Sequence, residues 1–165
     1  MGDLPVEKRF RILCEITRAQ HFAWREAVHK LAPGVDTTEV VKEMWRVSGD
    51  GTGAAYAKHL DPARSLPEQV AESIAFSSVC MGEDAVVEPG AAGKAEAFVR
   101  HRGCPWHSWH EKKGLLAEDR PGCDAWFQGT VDTLNRTLGS KLKVETLKAL
   151  PDGDDCYLRR FSVEG

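Results

Sequence analysis

Apolar residues recur at helical spacing through the first half of the chain. Between Val6 and Leu31 they fall at Phe10, Leu13, Cys14, Ile16, Phe22, Ala23, Val28 and Leu31, close to the three-and-four rhythm of one helix face. Pro33-Gly34 stops this segment. Asp36-Thr37-Thr38-Glu39 then forms a capping-box-like start. It predicts a second helix from Thr38 to about Leu60, with Val40, Val41, Met44, Trp45 and Val47 on its buried side. Within that helix, Gly49, Gly51 and Gly53 predict a kink or break, since each Gly costs about 1 kcal/mol relative to Ala. Ser65-Leu66-Pro67-Glu68 opens a third helix, with Pro67 suited to its first turn, running to about Cys80.

The pattern changes in the second half. Ala85-Val86-Val87-Glu88 reads as a short strand, Pro89 to Gly93 as a turn, and Ala95 to His101 as the partner strand. Cys104 to Gly114 predicts loop plus a short helix, and Gly122 to Leu138 a longer one carrying Trp126, Val131, Leu134 and Leu138. Lys141 to Leu150 and Cys156 to Val163 are two strands joined by the turn-forming Pro151-Asp152-Gly153-Asp154-Asp155. The order α-α-α-β-β-α-α-β-β predicts an α+β domain, a helical N-terminal half packed on a mainly antiparallel sheet of about four strands. No internal repeat divides the chain, so residues 1–165 read as a single domain, helical over 1–82 and mixed over 83–165.

Composition narrows the class. A chain of 165 residues buries roughly 70% of its unfolded surface, enough for a core without disulfide staples. Charged residues at 28% and hydrophobic ones at 42% exclude wholesale disorder. The 22 Lys and Arg against 25 Asp and Glu argue against broad nucleic-acid or anionic-membrane binding. No uncharged apolar run approaches the ~20 residues of a membrane span. The start Met1-Gly2-Asp3-Leu4-Pro5-Val6 lacks a signal-peptide core and has Val6 where myristoylation wants Ser or Thr. A reducing cytoplasm is therefore expected, where thiols are free, metal-bound or catalytic. Five Cys cannot close into an intramolecular disulfide set. The amphipathic first 60 residues would permit a homodimer.

Candidate chemistry concentrates in Arg100-His101-Arg102-Gly103-Cys104-Pro105-Trp106-His107-Ser108-Trp109-His110, where a strand gives way to a loop. Cys104 and His107 have C-x-x-H spacing, close enough to share a metal ion or to act on one another. Cys123 and Asp124 open the next helix and Cys156 the last strand. Cys14 and Cys80 sit in helical stripes and read as core packing, as do Trp24 and Trp45. His21, His29 and His59 read as exposed or partly packed helix residues. Trp106, Trp109 and Trp126 can form the apolar wall of a ligand pocket. Zinc-finger spacing, a Walker loop, a G-x-G-x-x-G turn and a G-x-S-x-G elbow are all absent from the sequence.

Taken together, Cys104-Pro105, Cys123-Asp124 and Gly153-Asp154-Asp155-Cys156 with its alternating final strand resemble the L-2-amino-thiazoline-4-carboxylate hydrolase-like family. The stretch from Glu145 through Gly153-Asp154 to Cys156 is also similar to the last hairpin of the 4-vinyl reductase domain, a small-molecule-binding module with a Cys-based metal site. Leu147 to Leu150 departs from that pattern by holding no Cys, which makes His107 a substitute ligand. The resemblance covers residues 104 to 161 and implies the same α+β architecture.

Two functions follow from it. The first is a small cytoplasmic hydrolase that opens a cyclic C–N/C–S compound of the aminothiazoline type. Cys104 would be nucleophile or metal ligand, His107 proton carrier or ligand, and Asp124 the group that orients His107 or takes a proton from water. Arg100 or Arg102 would hold a substrate carboxylate. The second is a non-catalytic small-molecule-binding or sensor domain with a Cys/His metal site. In either, Cys104, His107, Cys123 and Cys156 converging on one ion would favour zinc or iron. The partner expected is a small molecule, not nucleic acid or membrane.

Overall fold

The computed structural model describes residues 4–91 and 95–163. The Met1-Gly2-Asp3 start and the Ala92-Gly93 part of the expected turn lie outside them. The elements are α1 (Val6–Leu31), α2 (Thr37–Tyr56), α3 (Leu66–Cys80), β1 (Asp84–Pro89), β2 (Glu96–Gly103), α4 (Pro105–Lys113), α5 (Leu116–Leu138), β3 (Leu142–Lys148) and β4 (Tyr157–Val163). The strands form one antiparallel sheet in the order β1-β2-β4-β3. The α+β expectation therefore holds, element for element.

Local chemistry explains most of the boundaries. Asp36 caps α2, accepting hydrogen bonds from the backbone N–H of Thr38 (2.9 Å) and Glu39 (3.3 Å). Asp154 accepts from Ala149 N–H at 2.8 Å in the β3–β4 connection, the turn role expected of it. Gly114, at φ +69°, ends α4 in the left-handed conformation that favours glycine. The chain can then reverse directly into α5, which starts six residues before the expected Gly122 and continues through Pro121.

Alternate residues of each strand point to one side. Ala97, Val99 and His101 of β2 and Tyr157, Arg159 and Phe161 of β4 are all buried on that side. Val70, Ala71 and Ile74 of α3 and Phe127, Val131 and Leu134 of α5 pack against it to form the core. Helix α2 lies along α5 without the expected break. Its Gly49 and Gly53 are buried against α5, so these glycines mark a close helix–helix seam.

Several expectations about burial are corrected. Helix α1 buries Cys14, Arg18 and Phe22, a stripe at intervals of four, while Phe10, Leu13, Ile16 and Leu31 are exposed. Val47 and Trp24 are likewise exposed, and so is Cys80. Periodicity shows that a helix has an apolar face; it does not show which stripe the tertiary fold selects. No helix among the described residues is long and apolar enough to cross a membrane.

Candidate functional site

Helices α1, α2, α4 and α5 meet the ends of α3, β2 and β4 around a cavity of about 770 Å³. That size suits a drug-sized organic molecule. The walls are mostly apolar. His21 of α1, Trp45 of α2 and Trp106 of α4 form a triangle of rings, with centroid separations of 5.1, 5.2 and 5.6 Å. Met44, Phe76 and Trp126 extend this wall.

Polar side chains line the cavity as well, among them Asp119, whose side chain is wholly buried. Oδ2 accepts a hydrogen bond from Tyr157 Oη (2.8 Å) and contacts His107 Nδ1 (3.0 Å). His110 Nδ1 lies 3.0 Å from Oδ1, while its hydrogen-bond geometry favours the Trp106 carbonyl at 2.9 Å. Burial raises the Asp119 carboxyl, but contacts with His110, Tyr157 and His107 outweigh it and hold the group below the usual carboxylate range. Helical spacing accounts for the convergence. His107 and His110 are three apart on α4 and therefore share a face, and α5 brings Asp119 beneath them.

The Arg159 guanidinium carbon lies over the rings of Phe127 and Tyr157, 4.0 and 4.5 Å from their centroids. Arg159 Nη2 is 3.4 Å from Asp124 Oδ1. Ser78 Oγ is 2.9 Å from His101 Nε2, and Glu83 Oε2 is 3.4 Å from the same nitrogen. Burial pushes the Glu83 carboxyl up to about 7 and the Cys104 thiol up to about 12, and raises the Cys123 thiol as well.

The Glu83 environment has a measurable consequence. An unfolded chain releases this proton near 4.5, whereas the fold holds it to about 7. The fold therefore loses stability as pH rises between these values and carries the full penalty above them. Glu83→Gln is expected to stabilise the protein at pH 8 by as much as about 3 kcal/mol more than at pH 4. Urea denaturation at both pH values measures the difference, and an equal effect at each would contradict the assignment.

Several residues singled out from the sequence do meet here. Cys104, Trp106, Cys123 and Trp126 all line the cavity. Others are elsewhere. Trp109 stacks on Phe22 at 5.5 Å and donates to Glu15 at 3.1 Å. Arg100 pairs with Glu88 at 2.6 Å, and exposed Arg102 approaches Asp84 at 3.5 Å; neither lines the cavity. Asp124 accepts from Thr146 Oγ1 at 2.7 Å and faces Arg159 instead of orienting His107.

Two of the four residues expected to share a metal ion are engaged by other groups. Cys156 contacts Arg100 Nη1 (3.0 Å) and Asp155 (3.4 Å), while His107 is engaged by Asp119. Among the described residues, no group of three or more His, Cys, Asp or Glu side chains is arranged to hold a metal ion. The donor set of Cys104, His107, Cys123 and Cys156 thus does not fit zinc or iron as one site.

Asp119, Tyr157 and Arg159 do not stand out in the sequence as site residues. Asp119 lies in the charged run Glu118-Asp119-Arg120, which reads as solvated surface. Arg159 did carry a signal: it shares the strand face of Tyr157 and Phe161, and an Arg on an apolar face needs a buried partner.

Comparison with solved structures places this architecture among known folds. A trafficking protein particle complex subunit 3 from Naegleria fowleri, covalently bound to palmitic acid, superposes with a TM-score of 0.60 at 15% identity, covering 94% of this chain and 97% of that one. The phenol-responsive sensory domain of the transcription activator PoxR with phenol gives 0.58 at 13% identity, covering 89% and 74%. At these identities the likeness is one of fold. No family model matches the chain, and no curated protein matches it in sequence.

Proposed function

We propose that this domain binds a small, largely apolar organic molecule and serves as a sensor-type module. The observation that carries this reading is the largely apolar, aromatic-walled cavity of about 770 Å³. The two similar structures lend support, since one contains phenol and the other covalently bound palmitic acid. A ring-opening hydrolase would need an activated nucleophile at the cavity. Burial instead keeps the thiols of Cys104 and Cys123 protonated at neutral pH, and Arg100 and Arg102 are not placed to hold a carboxylate there.

Intrinsic tryptophan fluorescence tests the proposal, because Trp45, Trp106 and Trp126 all line the cavity. Titration with propylbenzene, 4-propylphenol and decanoate is expected to give saturable quenching by at least one of them. A linear, non-saturating response to all three would overturn the reading.

A further inference from the structure

Helix α1 carries more apolar surface than the fold covers. Residues 4–13 are exposed throughout, and the first buried side chain of the helix is Cys14, followed only by Arg18 and Phe22. A helical segment this short is marginal in water when nothing packs against it. Yet the uncovered stretch holds Val6, Phe10 and Leu13, which are 66, 38 and 60% exposed. Farther along, Ile16, Trp24 and Leu31 are exposed as well, the last to 85%. Together these side chains present roughly 650 Å² to solvent, more than the about 300–600 Å² of the largest patch on an ordinary monomer.

The uncovered positions are ordered. Val6, Phe10, Leu13, Thr17, Gln20, Trp24, Ala27 and Leu31 follow one another at alternating intervals of four and three, the repeat that makes a continuous seam between two helices. None of them is charged, and none is buried. The intervals are the same from either end, so the seam matches itself when a second copy is laid on it antiparallel. A two-fold axis midway between Thr17 and Gln20 would set Val6 against Leu31, Phe10 against Ala27, Leu13 against Trp24 and Thr17 against Gln20. The large ring of Phe10 then meets the small Ala27, and the polar positions meet one another at the centre. A self-complementary surface of this kind is what a two-fold dimer requires.

We propose that the exposed face of α1 is the interface of a homodimer, in which the α1 helices of two copies pack antiparallel about a two-fold axis between Thr17 and Gln20. Two such faces bury about 1,300 Å² in total, within the roughly 1,200–2,000 Å² of a specific, stable interface. A membrane surface is the other occupant that suits an apolar helix face, but interfacial helices carry Lys and Arg along their polar side. The polar side of α1 mixes Glu7, Glu15 and Glu26 with its basic residues, and the chain as a whole has a net charge of −3. Thr17, Gln20 and Trp24 also line the cavity, so the interface and the ligand site share a wall. Dimerisation is measured without any ligand, and its outcome is therefore independent of the ligand-binding reading.

Sedimentation equilibrium of the full chain at concentrations from about 1 to about 100 µM tests the proposal. The wild type is expected to be a dimer at about 10 µM. Leu13→Glu and Leu31→Glu alter exposed side chains at separate points of the seam, and each is expected to weaken the dimer at least about 10-fold. Leu147→Glu, exposed on the edge strand β3, is expected to leave it unchanged. Phe10→Glu should weaken the dimer as well, and adding Ala27→Lys should recover at least about 3-fold of the loss, because the antiparallel contact brings the two charges together. In a parallel pair Phe10 would face its own copy, so a double variant no tighter than Phe10→Glu alone would overturn the antiparallel pairing. Equal dimer affinity in the wild type and both leucine variants would place the interface elsewhere and overturn the proposal. A wild type that stays monomeric at about 100 µM would overturn it too. Pelleting of that monomer with phosphatidylcholine–phosphatidylserine vesicles would then assign the face to a membrane instead.

Discussion

Gly49→Ala is expected to destabilise the protein by roughly 3 kcal/mol or more, whereas Gly51→Ala, two residues away, is expected to stabilise it by up to about 1 kcal/mol. A Cβ at Gly49 would overlap the Trp126 carbonyl oxygen, and one at Gly53 would sit 2.5 Å from the Thr130 carbonyl. The facing helix answers in kind, since a Cβ at Gly129 would come within 2.6 Å of the Arg46 carbonyl. Backbone thus meets backbone, and neither side has a flexible atom to yield. The close approach also lets Thr130 Oγ1 donate to the Gly49 carbonyl at 3.2 Å and Thr133 Oγ1 to Asp50 at 3.0 Å. Prising the seam apart would lose these bonds as well. Gly51 faces open space, so an added methyl there costs nothing and removes backbone freedom from the unfolded chain. Urea denaturation of both variants reads the contrast. Two shifts of the same sign would show that α2 and α5 do not pack through Gly49.

That seam illustrates what the chain discloses about itself. Helical and alternating periods, the Asp36 cap and the Asp-rich turn before Cys156 are local signals, and they placed every element in order. A run of Gly49, Gly51 and Gly53 is ambiguous locally, because a glycine that breaks a helix and one that admits a neighbouring backbone look alike. The stripe Cys14, Arg18, Phe22 was obscured by exposed Leu13 and Ile16, which make the same helix look apolar on another side. The site divides in the same way. Cys104, Trp106, Cys123 and Trp126 stand out by residue type and do line the cavity. Asp119 and Tyr157, which meet at 2.8 Å, come from segments with no shared spacing, and only the fold joins them. Cys156 had the residue type but belongs to a different cluster with Arg100 and Asp155.

Asp119→Ala should be the most damaging substitution around the cavity, costing about 3–5 kcal/mol at neutral pH. The carboxylate sits among Tyr157, His107 and His110, and its removal strands the buried phenol of Tyr157 and the imidazole of His107 at once. Tyr157→Phe removes one of these contacts together with its donor, so about 1 kcal/mol is expected from it. The pH dependence separates an electrostatic role from packing. Asp119 is held below its ordinary value of 3.8 in the fold, so the carboxylate stabilises the protein above that pH. This contribution is lost as pH falls through the folded value. The gap between wild type and Asp119→Ala is therefore expected to narrow below about pH 4. Equilibrium unfolding in urea at pH 7, 5 and 3.5 follows it. A gap that does not narrow at the lowest pH would mean that Asp119 fills space rather than holding its neighbours by charge.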